Sequence, residues 1–181
     1  MRRRSSPPPR PAPPSRPETA RIVVDVVDKQ RRVRVGKAWL GGLVRRALLS
    51  EGIRAAEVAV LLADDRRIAV LHGEWLDDAT PTDVITFDLS DPPGLPGGDG
   101  VLRGDIVVST ETAARMAAEV GWTARLETAY YVLHGILHLA GHDDLSPGPR
   151  RAMRRRERTL LESLGLPAPP RPRAAAGRTR R

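Results

Sequence analysis

Three of the four histidines in this 181-residue chain fall inside the eleven residues His134-Gly135-Ile136-Leu137-His138-Leu139-Ala140-Gly141-His142-Asp143-Asp144. His134 and His138 are four apart in a run, 126–140, whose apolar residues recur at helical spacing. Both imidazoles therefore leave one helix face, stacked a turn apart, which is how a helix offers two nitrogens to one metal ion. Gly141 supplies a residue that takes positive φ and turns the chain at the helix end, so a side chain six residues beyond His138 can swing back to the same point. That side chain is Asp144. His142 is the alternative third ligand, but aligning it means continuing the helix through Gly141, at a cost of about 1 kcal/mol. The chain contains no cysteine, which leaves histidine and carboxylate as its ligands for a transition metal.

The spacing is that of the long zinc signature HExxHxxGxxH, with glycine in place of the glutamate and aspartate in the third ligand place. Aspartate oxygen ligates zinc at about 2.0–2.2 Å, so the third position stays chemically competent. Gly135 is no general base, and the metalloprotease mechanism that uses the signature glutamate is not available from this helix. One Zn2+ per chain on His134, His138 and Asp144 leaves a fourth place for water, whose pKa falls to about 7 on the metal, giving a hydroxide for attack on phosphorus or a carbonyl. On RNA it would act either as nucleophile or as base on the neighbouring 2′-OH. Asp143 is a possible catalytic base or a partner for the second N–H of a ligand imidazole; its plainer role is to cap the turn after Gly141. His72 reads as a packing or surface histidine.

The elements that must position this group read as an α+β chain. Residues 22–27 and 57–63 are β-branched or apolar runs that predict strands, and Val33 to Val35 either extend the first pairing or lead into the next element. An amphipathic helix is expected over 37–50, and Asp64-Asp65 caps a short helix carrying Ile68, Leu71 and His72. Strands over 82–87 and 104–108 flank a Pro/Gly-rich stretch, 88–100, expected as a flexible loop or lid. Ser109 caps a helix over 110–120, the metal helix follows from 124 or 125 to 140, and a last helix runs from about 150 to 164 after a connector at 145–149. The expected fold is a small mixed sheet of about four strands covered by helices, with the metal site at the end of a helix in the C-terminal half.

Three segments together resemble the YbeY family of single-domain, metal-dependent endoribonucleases acting in ribosomal RNA maturation. The element from His134 to Asp144 is similar to that family's HGxLHLxGxDH. Ile68 to Phe87, ending Pro81-Thr82-Asp83-Val84-Ile85-Thr86-Phe87, resembles its isoleucine-led helix followed by PTDVLSF. Arg103-Gly104-Asp105-Ile106-Val107-Val108-Ser109 is similar to its LGDIVIS. The resemblance covers roughly residues 20 to 166 and implies that Thr82, Asp83 and Asp105 line the cleft, although hydrogen bonding at strand ends explains them equally well. Three positions depart from the pattern: Asp144 replaces the family's third histidine, Leu76 after Trp75 replaces an arginine often given a catalytic role, and His72 replaces an asparagine. The ligands carry over and the arginine's role does not.

The formal net charge of +8 divides unevenly. Residues 1–17 and 167–181 each hold five arginines and no acid, whereas 18–166 holds 20 Lys+Arg against 22 Asp+Glu. Residues 1–18 and 167–181 are expected as disordered basic tails around a single domain at 19–166. Inside that domain Arg150, Arg151, Arg154, Arg155, Arg156 and Arg158 crowd one segment with only Glu157 opposing. Arg151, Arg154, Arg155 and Arg158 share a helical face, either simply solvated or able to track phosphates beside the metal. With three Trp, two Tyr and one Phe, no aromatic stacking platform for bases is encoded.

These readings converge on a zinc-dependent single-strand endoribonuclease for small-subunit rRNA 3′ processing and ribosome quality control. Its expected partners are RNA and the ribosomal small subunit, not DNA or membrane, and its expected place is the cytoplasm. The alternatives are a metalloprotease-like hydrolase and a non-catalytic ribosome-assembly factor with a structural metal.

Overall fold

The structure, a computed structural model, describes residues 20–76, 82–92 and 98–168. Its elements run β1 (Arg21–Asp28), α1 (Lys37–Ser50), β2 (Ala55–Ala63), α2 (Asp65–Leu76), β3 (Val84–Asp88), β4 (Leu102–Ser109), α3 (Thr110–Val120), α4 (Ala124–Leu139) and α5 (Pro147–Ser163). The fold is α+β. A four-stranded sheet has the order β1-β2-β4-β3, with β1, β2 and β4 parallel and β3 antiparallel to β4.

Side-chain alternation decides which face is covered. Val58, Val60 and Leu62 of β2 and Ile106 and Val108 of β4 are buried in the main core with Leu40, Val44 and Leu48 of α1, and with Val132, Leu133, Ile136 and Leu137 of α4. Leu160 and Leu161 of α5 join the same core. Ile85 and Val107 pack instead with Ile68 of α2, and Leu61, Leu71 and Phe87 border that smaller cluster. The sheet is thus sandwiched between α1 and α4 on one side and α2 on the other, and α3 packs along α4.

Several boundaries differ from the sequence reading. Of the two readings for Val33 to Val35, the structure has the second: they form no strand and lead into α1, and the Gln30 side chain holds the turn, accepting from the backbone N–H groups of Arg32 and Val33 and donating to the Val33 carbonyl. Strands β2 and β4 each start two residues early, at Ala55 and Leu102, because Ala55 already pairs with Arg21 of β1 and Leu102 with Ala56 of β2. The last helix starts at Pro147 rather than Arg150, with Ser146 at its N-cap; proline suits a first helical turn because the N–H it lacks has no partner there. The expected loop 88–100 is partly tied down. Asp88 ends β3, the Leu89 N–H donates to the Arg103 carbonyl at 3.0 Å, and Ser90 Oγ both accepts from and donates to the Arg103 backbone. Residues 93–97 of that stretch, and the expected tails apart from 167 and 168, lie outside the described residues.

Candidate metal centre

Helix α4 is the best-covered helix of the domain, buried from Glu127 to Leu137. Thr123 caps its start by accepting from the Leu126 N–H. Gly135 lets it lie directly on the sheet: a Cβ there would sit 2.9 Å from Thr86 Oγ1 and 3.0 Å from Ile106 Cγ2. The glutamate of the zinc signature therefore has no room at this position, a steric reason for the departure noted above. At its other end the helix closes in a Schellman motif, the His142 N–H donating to the Leu137 carbonyl and the Gly141 N–H to the His138 carbonyl. Gly141 takes φ of 89°, a left-handed conformation that glycine adopts without steric cost.

The reversal brings His134, His138 and Asp144 together, with one ligand-type atom from each within 4.8 Å of the others. The two imidazole Nε2 atoms are 3.0 Å apart. Asp144 Oδ2 stands 3.9 Å from His134 Nε2, and Asp144 Oδ1 stands 3.7 Å from His138 Nε2. Donors about 2.0–2.2 Å from a common ion in tetrahedral array lie roughly 3.3–3.6 Å from each other, so the three spacings bracket that of a metal site.

The hydrogen bonds on the far side of each ring sharpen this. His138 Nδ1 faces the His142 carbonyl at 3.0 Å; a carbonyl only accepts, so Nδ1 of a neutral ring carries the hydrogen and Nε2 the lone pair. His134 Nδ1 faces the Glu157 carboxylate at 2.5 Å, with the same consequence. With both rings neutral, two lone pairs would face each other beside a buried carboxylate, an arrangement that a shared proton or a metal cation between them relieves. The donor set fits a divalent metal.

His142 lies elsewhere. Its Nε2 meets Glu51 Oε2 at 3.2 Å, and Arg156 Nε donates to the other Glu51 oxygen at 2.8 Å. The imidazole pins the turn to the end of α1, while the backbone of the same residue supports His138. Asp143 accepts from the Asp144 and Leu145 N–H groups through Oδ1, an Asx turn, and neither outer imidazole nitrogen is turned to it.

In the sequence Glu157 is a lone acid among arginines. In the structure it is a buried residue of α5 that touches His134, and Tyr130 donates to its other oxygen at 2.9 Å. The available signal was periodicity: Glu157 shares a helix face with Met153, Leu160 and Leu161, the buried residues of α5.

The remaining candidates lie outside this group of three. Asp105 is exposed and lies on the sheet face opposite Gly104, whose added Cβ would collide with Leu139 of α4. Asp83 spends its side chain at the strand end, accepting from the Val84 N–H and Thr82 Oγ1, and its carbonyl accepts from the Ser109 N–H. His72 is buried at 3% exposure on the inward side of α2. Trp75 makes an edge-to-face contact with Phe87 at 5.8 Å. Burial, aided by the charge on Asp83, pushes the Tyr131 phenol well above its usual range. Among the α5 arginines, Arg151, Arg155 and Arg158 are exposed and Arg154 is half-buried. Arg150 reaches back to the metal loop, its Nε donating to the Asp144 carbonyl at 3.1 Å.

Comparison with known proteins gives a consistent picture. The family model described as Endoribonuclease YbeY matches residues 25–165. A protein of Anaeromyxobacter dehalogenans (strain 2CP-C) named Endoribonuclease YbeY is 43% identical over 119 residues, 66% of this chain and 60% of that one. One of the same name from Pelotomaculum thermopropionicum (strain DSM 13744 / JCM 10971 / SI) is 37% identical over 146 residues, 78% of this chain and 96% of that one. The chain therefore spans about 60% of the length of the first relative and nearly all of the second. The solution structure of a Thermotoga maritima protein superimposes with a TM-score of 0.51 at 21% identity, covering 78% of this chain and 91% of that one, and shares the fold.

Proposed function

Since this chain belongs to the Endoribonuclease YbeY family, we propose that it is a zinc-dependent endoribonuclease that cuts single-stranded RNA in the 3′ maturation of small-subunit ribosomal RNA and in ribosome quality control. The observation that carries the reading is the pair of converging Nε2 atoms of His134 and His138, 3.0 Å apart beside the buried Asp144. His134, His138 and Asp144 hold the ion. When bound, it supplies Lewis acidity that makes water a stronger nucleophile or base near neutral pH and offsets charge on a phosphodiester oxygen.

The protein's own residues do the rest. Glu157 and the His142 carbonyl fix both rings with Nε2 inward. Arg150, Arg151, Arg155 and Arg158 lie on the element that follows the metal loop, where guanidinium groups can engage phosphates along a strand. Gly135 leaves no carboxylate at the place a zinc protease needs one, which disfavours peptides as substrate. With so few aromatic residues, recognition rests on the RNA backbone, and the ribosomal small subunit supplies the sequence context in the cytoplasm.

Incubating the zinc-loaded protein with a single-stranded RNA from the 3′ end of small-subunit rRNA and, separately, with a peptide library tests this, with His138→Ala as control. The expected result is cleaved RNA, intact peptides and an inert variant. Cleaved peptides would make it a protease; intact RNA with tightly bound metal would make the ion structural and the protein an assembly factor.

A further inference from the structure

The side of His134 that faces away from the proposed ion is held with unusual economy. Its Nδ1 lies 2.5 Å from Glu157 Oε1, and Glu157 Oε2 accepts from the Tyr130 hydroxyl at 2.9 Å. Glu157 is 6% exposed and His134 7%. A carboxylate with so little access to water costs several kcal/mol to bury unless partners compensate it, and an apolar residue would fill this face of α5 at lower cost, as Met153 and Leu160 do beside it. Behind His138 the Nδ1 faces a backbone carbonyl, that of His142. The burial of a second anion behind the His134 ring calls for a reason beyond packing.

We infer that Glu157 is a positioning residue for the metal centre: by accepting from His134 Nδ1 it fixes the tautomer and the ring angle that present Nε2, and its charge makes that nitrogen a stronger donor to a cation. Carboxylates placed in this way behind ligand histidines change metal affinity by roughly 10- to 100-fold in other sites. Tyr130, one helical turn before His134, completes the support by engaging the second oxygen, so the carboxylate cannot rotate away. The consequence is that α5, which shows Arg151, Arg155 and Arg158 to solvent, also determines how well α4 binds metal. The inference rests on His134, His138 and Asp144 being the ligand set, and concerns what tunes it.

The test uses the full chain. Co2+ and Zn2+ affinity is measured by competition with a chelator for the parent, Glu157→Gln, Glu157→Ala and Tyr130→Phe, with the visible spectrum of bound Co2+ and the thermal midpoint of the metal-free protein recorded for each. Gln keeps an acceptor for Nδ1 but no charge, so Glu157→Gln should bind roughly 10-fold more weakly, with an altered Co2+ spectrum and a metal-free midpoint close to the parent's; Glu157→Ala should fall further, toward 100-fold. Tyr130→Phe should fall between parent and Glu157→Gln. Parent-like affinity and spectrum in Glu157→Gln would overturn the inference even if Glu157→Ala fails to fold, since Gln retains the shape. A lowered midpoint with unchanged affinity in the folded protein would likewise reduce Glu157 to packing. Asp144→Ala separates the two ideas: if it retains metal, the ligand set itself is wrong; if it loses metal while Glu157→Gln does not, only the positioning role fails.

Discussion

At the scale of single residues, the contrast between Asp144 and His142 is the most consequential. Two residues apart, both with side chains that bind metals, they are sent in different directions by one turn: Asp144 joins the imidazoles and His142 meets Glu51. Asp144→Ala should therefore abolish stoichiometric zinc, whereas His142→Ala should keep it, as metal analysis of the purified proteins would show. The opposite pattern would hand the third place to His142. Gly135 makes a second residue-level point. Because a Cβ would press on Thr86 and Ile106 of the sheet, Gly135→Ala should lower stability by about 1–3 kcal/mol through overpacking, read as a lower urea midpoint at unchanged slope. A variant as stable as the parent would mean that the sheet yields easily there, and that another reason keeps the signature glutamate out.

At the scale of elements, α5 has two faces with separable roles. Met153, Glu157, Leu160 and Leu161 face inward, and Arg151, Arg155 and Arg158 face water. Replacing those three arginines with glutamine should leave the unfolding midpoint unchanged and lower the salt slope of single-stranded RNA binding by about 2, at roughly 0.7 per phosphate contact. An undiminished slope would show that RNA passes elsewhere. The junction of α2 with α3 makes a different prediction. Burial raises the Asp65 carboxyl, but hydrogen bonds from Ser109, Arg115 and Thr112 outweigh it, so the folded pKa lies below the ordinary 3.8. A depressed carboxyl adds stability that is present above the unfolded pKa and is lost as pH falls through the folded one. The difference in urea midpoint between parent and Asp65→Asn should accordingly be steady at neutral pH and shrink below about pH 4; a difference independent of pH would show that the charge does not matter there.

For the whole molecule, fold and charge are partitioned along the chain. The elements of the described residues run from Arg21 to Ser163, and no helix among them is long and apolar enough to cross a membrane. The ten arginines of residues 1–17 and 167–181 lie outside those elements, while residues 18–166 carry 20 basic against 22 acidic side chains. Deleting 1–17 and 168–181 should leave the folding midpoint nearly unchanged while weakening RNA or ribosome association and flattening its salt dependence, by up to roughly 7 in slope if every tail arginine meets a phosphate. If the truncated domain binds with the full slope, the exposed arginines of α5 would be the whole electrostatic footprint.

What the sequence determined by itself is whatever depends on short separations. Helical periodicity placed His134 and His138 on one face, Gly141 marked the turn that returns Asp144, and β-branched runs marked the strands, because each rests on backbone preferences and on neighbours within a few residues. Boundaries slipped where a partner strand or a proline in a first helical turn extended an element beyond its local signal. The tertiary structure alone decided the rest. Glu157 reaches His134 from 23 residues away, Glu51 meets His142 from 91 residues away, and Gly135 is set by the nearness of Thr86 and Ile106. Contacts of that kind follow from how whole elements pack, and packing is fixed by the summed burial of many side chains, so no single stretch of chain records it.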